Sequence, residues 1–478
     1  LNQIEAQKTS QLPALTTGDM IALSTSQLIA LSNTQISGLA TDDVAALKTA
    51  QITALLSSQI AALTTAQVAG LTTTQIAALL TSQLIAITTD DIAALTTGEA
   101  AALTSAQVQA LLTAQLIALT TNDFAALTSA QIGSLTTVQI PALTTAQIAV
   151  LTTAQTAALT TSQIVTLTGV QLPALSADSI VTLSSAQLRA LTTAQIQSLA
   201  TDDFASLKTS QITSLTTAQV SALTTALMTA LTTAQTASLT TSQLNALTTN
   251  NIAALTTASA NALTTGQIQA LLTSQIAAIT TSDIAALSTS QFVSLLTNQI
   301  QALTTDQIAS LTQAEIASLT TAQQNALKSN QISALTSQQV TALTISEINT
   351  LTTSQVSNLS TASIAALSSS QFTQLSSSQI QALTTAQIAA ITTDDIINLT
   401  TSQLSALKTN QIAALTTAET VALTTGQIIL LSSTQAASLS TAATAALTTD
   451  QVVALTTGNI AALTTAQIAS LTSAQIVA

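Results

Sequence analysis

The chain repeats one pattern of apolar and polar positions every eight residues, without insertion or deletion. Its plainest copy is Leu383-Thr384-Thr385-Ala386-Gln387-Ile388-Ala389-Ala390. Each residue is numbered here by its remainder on division by eight, so Leu383 is position 7, Thr384 position 0 and Ile388 position 4. Position 7 is Leu at 55 of 59 occurrences, with Gln7, Ile87, Ile279 and Ile391 as the exceptions. Position 1 is Ser or Thr at 54 of 60, and position 3 is Gln at 42 of 60. Positions 4 and 7 form the apolar stripe. A unit this short cannot bury its stripe alone, so copies must stack on copies. The expectation is one continuous array over 1–478, about 60 octads long, and not the three or so globular domains that length alone suggests.

Periodicity leaves two forms open, a coil of β-solenoid or a short helix with a turn. Thr and Ile favour strands, while Ala, Leu and Gln favour helices. The charges favour the helix. Eighteen of the 19 acids stand at position 2 or 3, Glu5 being the exception. Five of the six cations, Lys8, Lys48, Lys208, Lys328 and Lys408, stand at position 0; Arg189 is the exception. A helix capped by the Ser/Thr of position 1 would carry acids in its first turn and bases at its end, complementing the macrodipole. Nine glycines are too few for some 60 tight β-turns.

The fold expected is therefore all-α, a solenoid or superhelix of very short helices of about six or seven residues, one per octad. A β-solenoid is the alternative. One unbroken helix is disfavoured by its many Thr doublets. Helices this short are unstable in isolation. Packing must hold them, with Ile or Val at position 4 and Leu at position 7 inward and small residues at 5 and 6 between turns. Pro13, Pro141 and Pro173 fall at position 5, where each loses one helical bond and is expected to be tolerated. The helix ends lack glycine caps, so Gln at position 3 and the Thr hydroxyl at position 0 are expected to form ladders between turns. Three to five helices per turn, about 10 Å apart, would give a rod roughly 120–200 Å long.

Composition narrows function mainly by exclusion. Net charge is −13 with six cations, which disfavours nucleic acid and anionic membrane surfaces. No apolar run approaches the roughly 18 residues of a transmembrane helix, and no signal segment opens the chain. Leu1 as first residue reads as a mature form or a piece of something longer. Without Cys, His, Tyr or Trp there is no disulfide, thiolate chemistry or zinc site. Abundant Ser and Thr lack a positioned base, so no catalytic residue, cofactor site or metal site is assigned and an enzyme is not expected. The pairs Asp42/Asp43, Asp90/Asp91, Asp202/Asp203 and Asp394/Asp395 could offer oxygen to Ca²⁺, but first-turn acids explain them. The lysines read as helix C-terminal charges. Phe124, Phe204, Phe292 and Phe372 replace Ile at position 4 in the core. Asn358-Leu359-Ser360 and Asn398-Leu399-Thr400 match the glycosylation pattern.

Variation along the array is itself patterned. Residues 41–53 and 201–213 match closely, and Asp43, Asp123, Asp203 and Asp283 are spaced by 80. Segmental duplication accounts for this better than alignment of charges on one face. The end at Ala478 shows no polar cap, which suits a segment of a longer array or ends that stack on other copies.

Residues 383–390 and their kin are similar to the helix-opening segment of TAL-effector repeats, but the 34-residue period and base-reading helix of that family are missing. Over the whole chain the octads resemble the Thr/Ala/Leu/Gln-rich repeat tracts of very large bacterial surface and adhesin-like proteins. That resemblance implies an extracellular or cell-surface structural role without catalytic residues. The leading expectation is a filament, fibre or adhesin stalk made by self-association, with other copies of itself as partners. The alternatives are a Thr-rich surface for a periodic ligand such as ice or polysaccharide, and a partner-binding scaffold.

Overall fold

The computed structural model describes residues 15–478. Glu5, Gln7, Lys8 and Pro13 lie outside the described residues. Every described element is helical, and no strand occurs among them. The α-helices span four to six residues, slightly shorter than expected, with one per octad, as in the consecutive helices Ser377–Ala382, Thr385–Ile388 and Thr393–Ile397. The chain divides into two compact units, Leu1–Ala246 and Leu247–Ala478.

Each helix begins one residue earlier than a cap at position 1 would have it. The N-cap is position 0. Thr384 has extended backbone, its hydroxyl accepts from the Gln387 N–H at 3.2 Å, and the Thr384 N–H donates to Gln387 Oε1 at 2.8 Å. This is the reciprocal capping box. Its spacing explains the register: three residues after position 0 stands Gln, whereas three residues after position 1 stands Ile, which can accept nothing. Acids at positions 2 and 3 still fall in the first turn, as at Asp90 and Asp91.

The lysine reading is corrected with it. Lys48, Lys208, Lys328 and Lys408 occupy N-cap positions and make no side-chain cap. They follow the extended Leu that ends one helix and precede the next, with their side chains exposed. Their backbone N–H groups keep half of the box, as when Lys48 N donates to Gln51 Oε1 at 2.8 Å. Arg189 is the cation in a helix's last turn.

Positions 4 and 7 build the core in both units. Ile52, Ile76 and Phe124 in the first unit, and Ile276, Ile388 and Phe372 in the second, are fully buried. Leu at position 7 is nearly so, and Phe204 in the first unit and Phe292 in the second are also fully buried at position 4. Each such side chain contributes about 1.5–3 kcal/mol by leaving water. The chain turns after position 7 through extended backbone (Leu383 φ −60°, ψ 139°), and no described residue has positive φ. That is why so few glycines suffice.

Within each unit a helix packs on the one three octads away, as Thr73–Ala78 does on Thr49–Ala54 and Thr401–Ala406 on Ser377–Ala382. Its position-3 side chain meanwhile reaches the end of the helix four octads back, as Gln75 reaches Val44 and Leu47. One turn therefore takes between three and four octads, inside the expected range. At Pro141 and Pro173 the α-helix gives way to short 3₁₀ segments, Ile140–Ala142 and Leu172–Ala174. The tertiary bonds survive there: Gln139 Nε2 donates to Val108 O at 3.1 Å and Leu111 O at 2.8 Å.

Candidate functional site

The residue that organises the interior is the position-3 glutamine. Its amide is buried and works on two sides. Gln387 Oε1 accepts from the N-cap N–H of its own helix, while Nε2 donates to Val356 O at 2.9 Å and Leu359 O at 2.7 Å. Those acceptors are positions 4 and 7 of the octad four back. The same geometry recurs at Gln75, on Val44 O at 3.0 Å and Leu47 O at 2.8 Å, and at Gln331, on Ile300 O at 2.7 Å and Leu303 O at 2.8 Å. The glutamine thus caps the N-terminus of its own helix and the C-terminus of an earlier one. It supplies the donors that a glycine cap would otherwise provide.

The glutamine ladder is as expected, but the threonine ladder is not. Position-0 hydroxyls are used within their own octads as caps. Hydroxyls that bridge turns are scattered, and some reach backbone carbonyls, as Ser57 Oγ donates to Ser82 O at 3.0 Å and Ser333 Oγ to Asn358 O at 2.8 Å. Two others come from position 1 and serve an aspartate that stands where glutamine is usual: Thr65 Oγ1 donates to Asp91 Oδ1 at 2.8 Å, and Thr257 Oγ1 to Asp283 Oδ1 at 2.7 Å.

Acids at position 3 are the chemically distinct members of the row. Glu99, Asp123, Asp283, Glu315, Asp395 and Glu419 are all buried. Glutamate keeps the box: the Thr312 N–H donates to Glu315 Oε2 at 2.7 Å, and the Thr416 N–H to Glu419 Oε2 at 2.6 Å. Aspartate is one methylene shorter and takes the cap hydroxyl, as when Thr88 Oγ1 donates to Asp91 Oδ2 at 2.6 Å. A carboxylate has no hydrogen for the carbonyls of the earlier helix. Glu315 Oε1 and Asp395 Oδ1 are buried with no hydrogen-bond partner.

Burial raises the pKa of both Glu315 and Glu419, against the opposing bonds from Thr312 and Thr416. Burial also raises Asp43, helped by the charges of Asp42 and Asp19, and raises Asp203, helped by Asp202. Asp19 is exposed, and the hydrogen bonds from the Thr16 side chain and backbone lower its pKa. The sequence places these acids in the first turn but does not by itself make position 3 interior. The one signal for that is the exchange of Gln for Asp or Glu at a single fixed position.

The remaining candidates are dispersed. Asp42/Asp43, Asp90/Asp91, Asp202/Asp203 and Asp394/Asp395 are the second and third residues of their helices. Among the described residues no three acids gather into a potential metal site. Asn358 and Asn398 donate back into their own helices, to Ser354 O and Asp394 O at 2.7 Å. Leu56, Leu80, Leu112, Leu272 and Leu296 replace the cap at position 0 and stand about half exposed.

ALTTAQ repeats match residues 12–49, 36–73, 84–121, 100–137, 117–153, 137–169, 196–233, 276–313, 364–401, 388–425 and 396–433, together more than half of the chain. The chain belongs to the ALTTAQ repeat family. The six letters of that name are positions 6, 7, 0, 1, 2 and 3, which hold the helix end, the turn, the N-cap and the buried glutamine. The name therefore spells the joint between two helices and not a helix itself. Comparison with curated proteins finds no match. Among the described residues no helix is long and apolar enough to cross a membrane.

Proposed function

We propose that this ALTTAQ repeat chain is a structural, non-catalytic protein that forms an extracellular filament, fibre or adhesin stalk by self-association. The observation that carries the reading is the use of one side chain, the position-3 glutamine, to join turns throughout both units. The polar interior is committed to holding the array together.

The ice or polysaccharide reading is less well supported. Helices stack on those three octads away, so the Thr pairs of three successive octads belong to different helices of a turn and are not gathered on one face. Electron microscopy across a dilution series tests the structural reading. Filaments of uniform width that persist on dilution are expected; separate particles at every concentration would refute self-association. Fractionation of the producing cells tests the location, with recovery at the surface or in the medium expected.

A further inference from the structure

Glutamate is glutamine with an oxygen in place of the amide nitrogen. In the octad of Glu315, Oε2 does the work of the glutamine oxygen, accepting from Thr312 N at 2.7 Å and Thr312 Oγ1 at 2.8 Å. Oε1 is left in the place of the nitrogen, buried and without a partner. The flanking glutamines define what faces that place. Gln307 Nε2 donates to Ile276 O at 2.9 Å and Ile279 O at 2.7 Å; Gln323 Nε2 donates to Leu295 O at 2.7 Å. The repeat puts Ile284 O and Leu287 O in the same relation to Glu315. An ionised Oε1 there turns a negative oxygen toward two carbonyl oxygens, out of water, with nothing to offset it.

We propose that Glu315 is a proton-operated clasp between turns of the second unit. Protonated, its O–H donates to a carbonyl of the Thr281–Ile284 segment or to Leu287 O and restores one inter-turn bond. Ionised, it leaves that bond open and the turns locally loosened. The burial-driven rise in its pKa acts in the same direction.

The helices packed on Gln313–Ala317, namely Thr289–Val293 and Ser337–Thr341, carry no ionisable side chain. The charged groups on the other adjoining elements are Asp283, Asp306, Lys328 and Glu347. Asp283 and Glu347 stand at position 3 four octads before and after Glu315. A raised folded-state pKa means that the stabilisation is fully present below the ordinary carboxylate value and lost as pH rises through the folded one.

The test compares hydrogen exchange of the wild-type chain with Glu315→Gln, at about pH 4 and about pH 7.5, taking the ratio at each pH so that intrinsic exchange cancels. In peptides spanning 281–290 and 312–320, the variant is expected to be about tenfold better protected at the higher pH and nearly equal at the lower. Gln379→Glu is the converse variant. It removes the donor to Ile348 O and Leu351 O and is expected to introduce the same pH dependence there. Equal protection of wild type and Glu315→Gln at both pH values would overturn the proposal. So would protection by added Ca²⁺ at the higher pH that matches the effect of acid, which would make the place a cation site.

Discussion

Gln387→Met removes the amide with little change of volume and isolates the worth of the inter-turn joint. Three bonds disappear: from Thr384 N at 2.8 Å, and to Val356 O at 2.9 Å and Leu359 O at 2.7 Å. Val356 O keeps a bond from Leu359 N at 3.2 Å, so its loss is partial. Thr384 N and Leu359 O lose the partner that the glutamine gave them. At about 1–3 kcal/mol for each group left unsatisfied, and less for the third, the variant should lose roughly 3–5 kcal/mol.

Thr384→Ala removes only the hydroxyl cap and should cost about 1 kcal/mol; Ala40 and Ala200 already occupy that position in native octads. Repeat arrays open segment by segment, so urea denaturation followed by circular dichroism should be joined to hydrogen exchange. Faster exchange is expected in two separate stretches, near 353–359 and 384–391. A cost no larger than that of Thr384→Ala, or faster exchange confined to 384–391, would refute the assignment of glutamine as a joint between turns.

Three further outcomes follow from the same geometry. Leu112 is 54% exposed at an N-cap with no side-chain bond, so Leu112→Thr should raise stability by about 1 kcal/mol in urea denaturation. Ala389→Pro removes the bond from Ala389 N to Thr385 O at 3.1 Å. By the precedent of Pro141 and Pro173 it should cost only about 1 kcal/mol, with a small loss of helical dichroism. Phe124→Ala empties a fully buried site and should cost about 3–5 kcal/mol, measured the same way.

The inward rows at positions 4 and 7 are legible in the sequence because their spacing is rigid and their composition nearly pure. Helix is legible from where the acids stand. The cap register is not, because Thr-Thr doublets such as Thr384-Thr385 present two equivalent hydroxyls and local chemistry at position 1 looks as good as at position 0. The partner at position 3 breaks that tie, and only a pairing argument over three residues finds it. The lysine reading fails for the same one-residue reason. Burial of the glutamines is hidden more deeply. Hydropathy scores Gln as a surface residue, and its interior place becomes reasonable only when the carbonyls it serves, 28 and 31 residues earlier, are known.

Those separations have a direction. The donor always belongs to the later octad and the acceptors to the earlier one. A ribosome delivers the chain in that order, so each emerging octad meets acceptors that have already been made and set in place. Every joint closes a loop of nearly constant size, and the entropy of closure is the same modest quantity late in the chain as near its start. Assembly during synthesis can proceed as a ratchet from the first turns onward, with no need to wait for distant sequence.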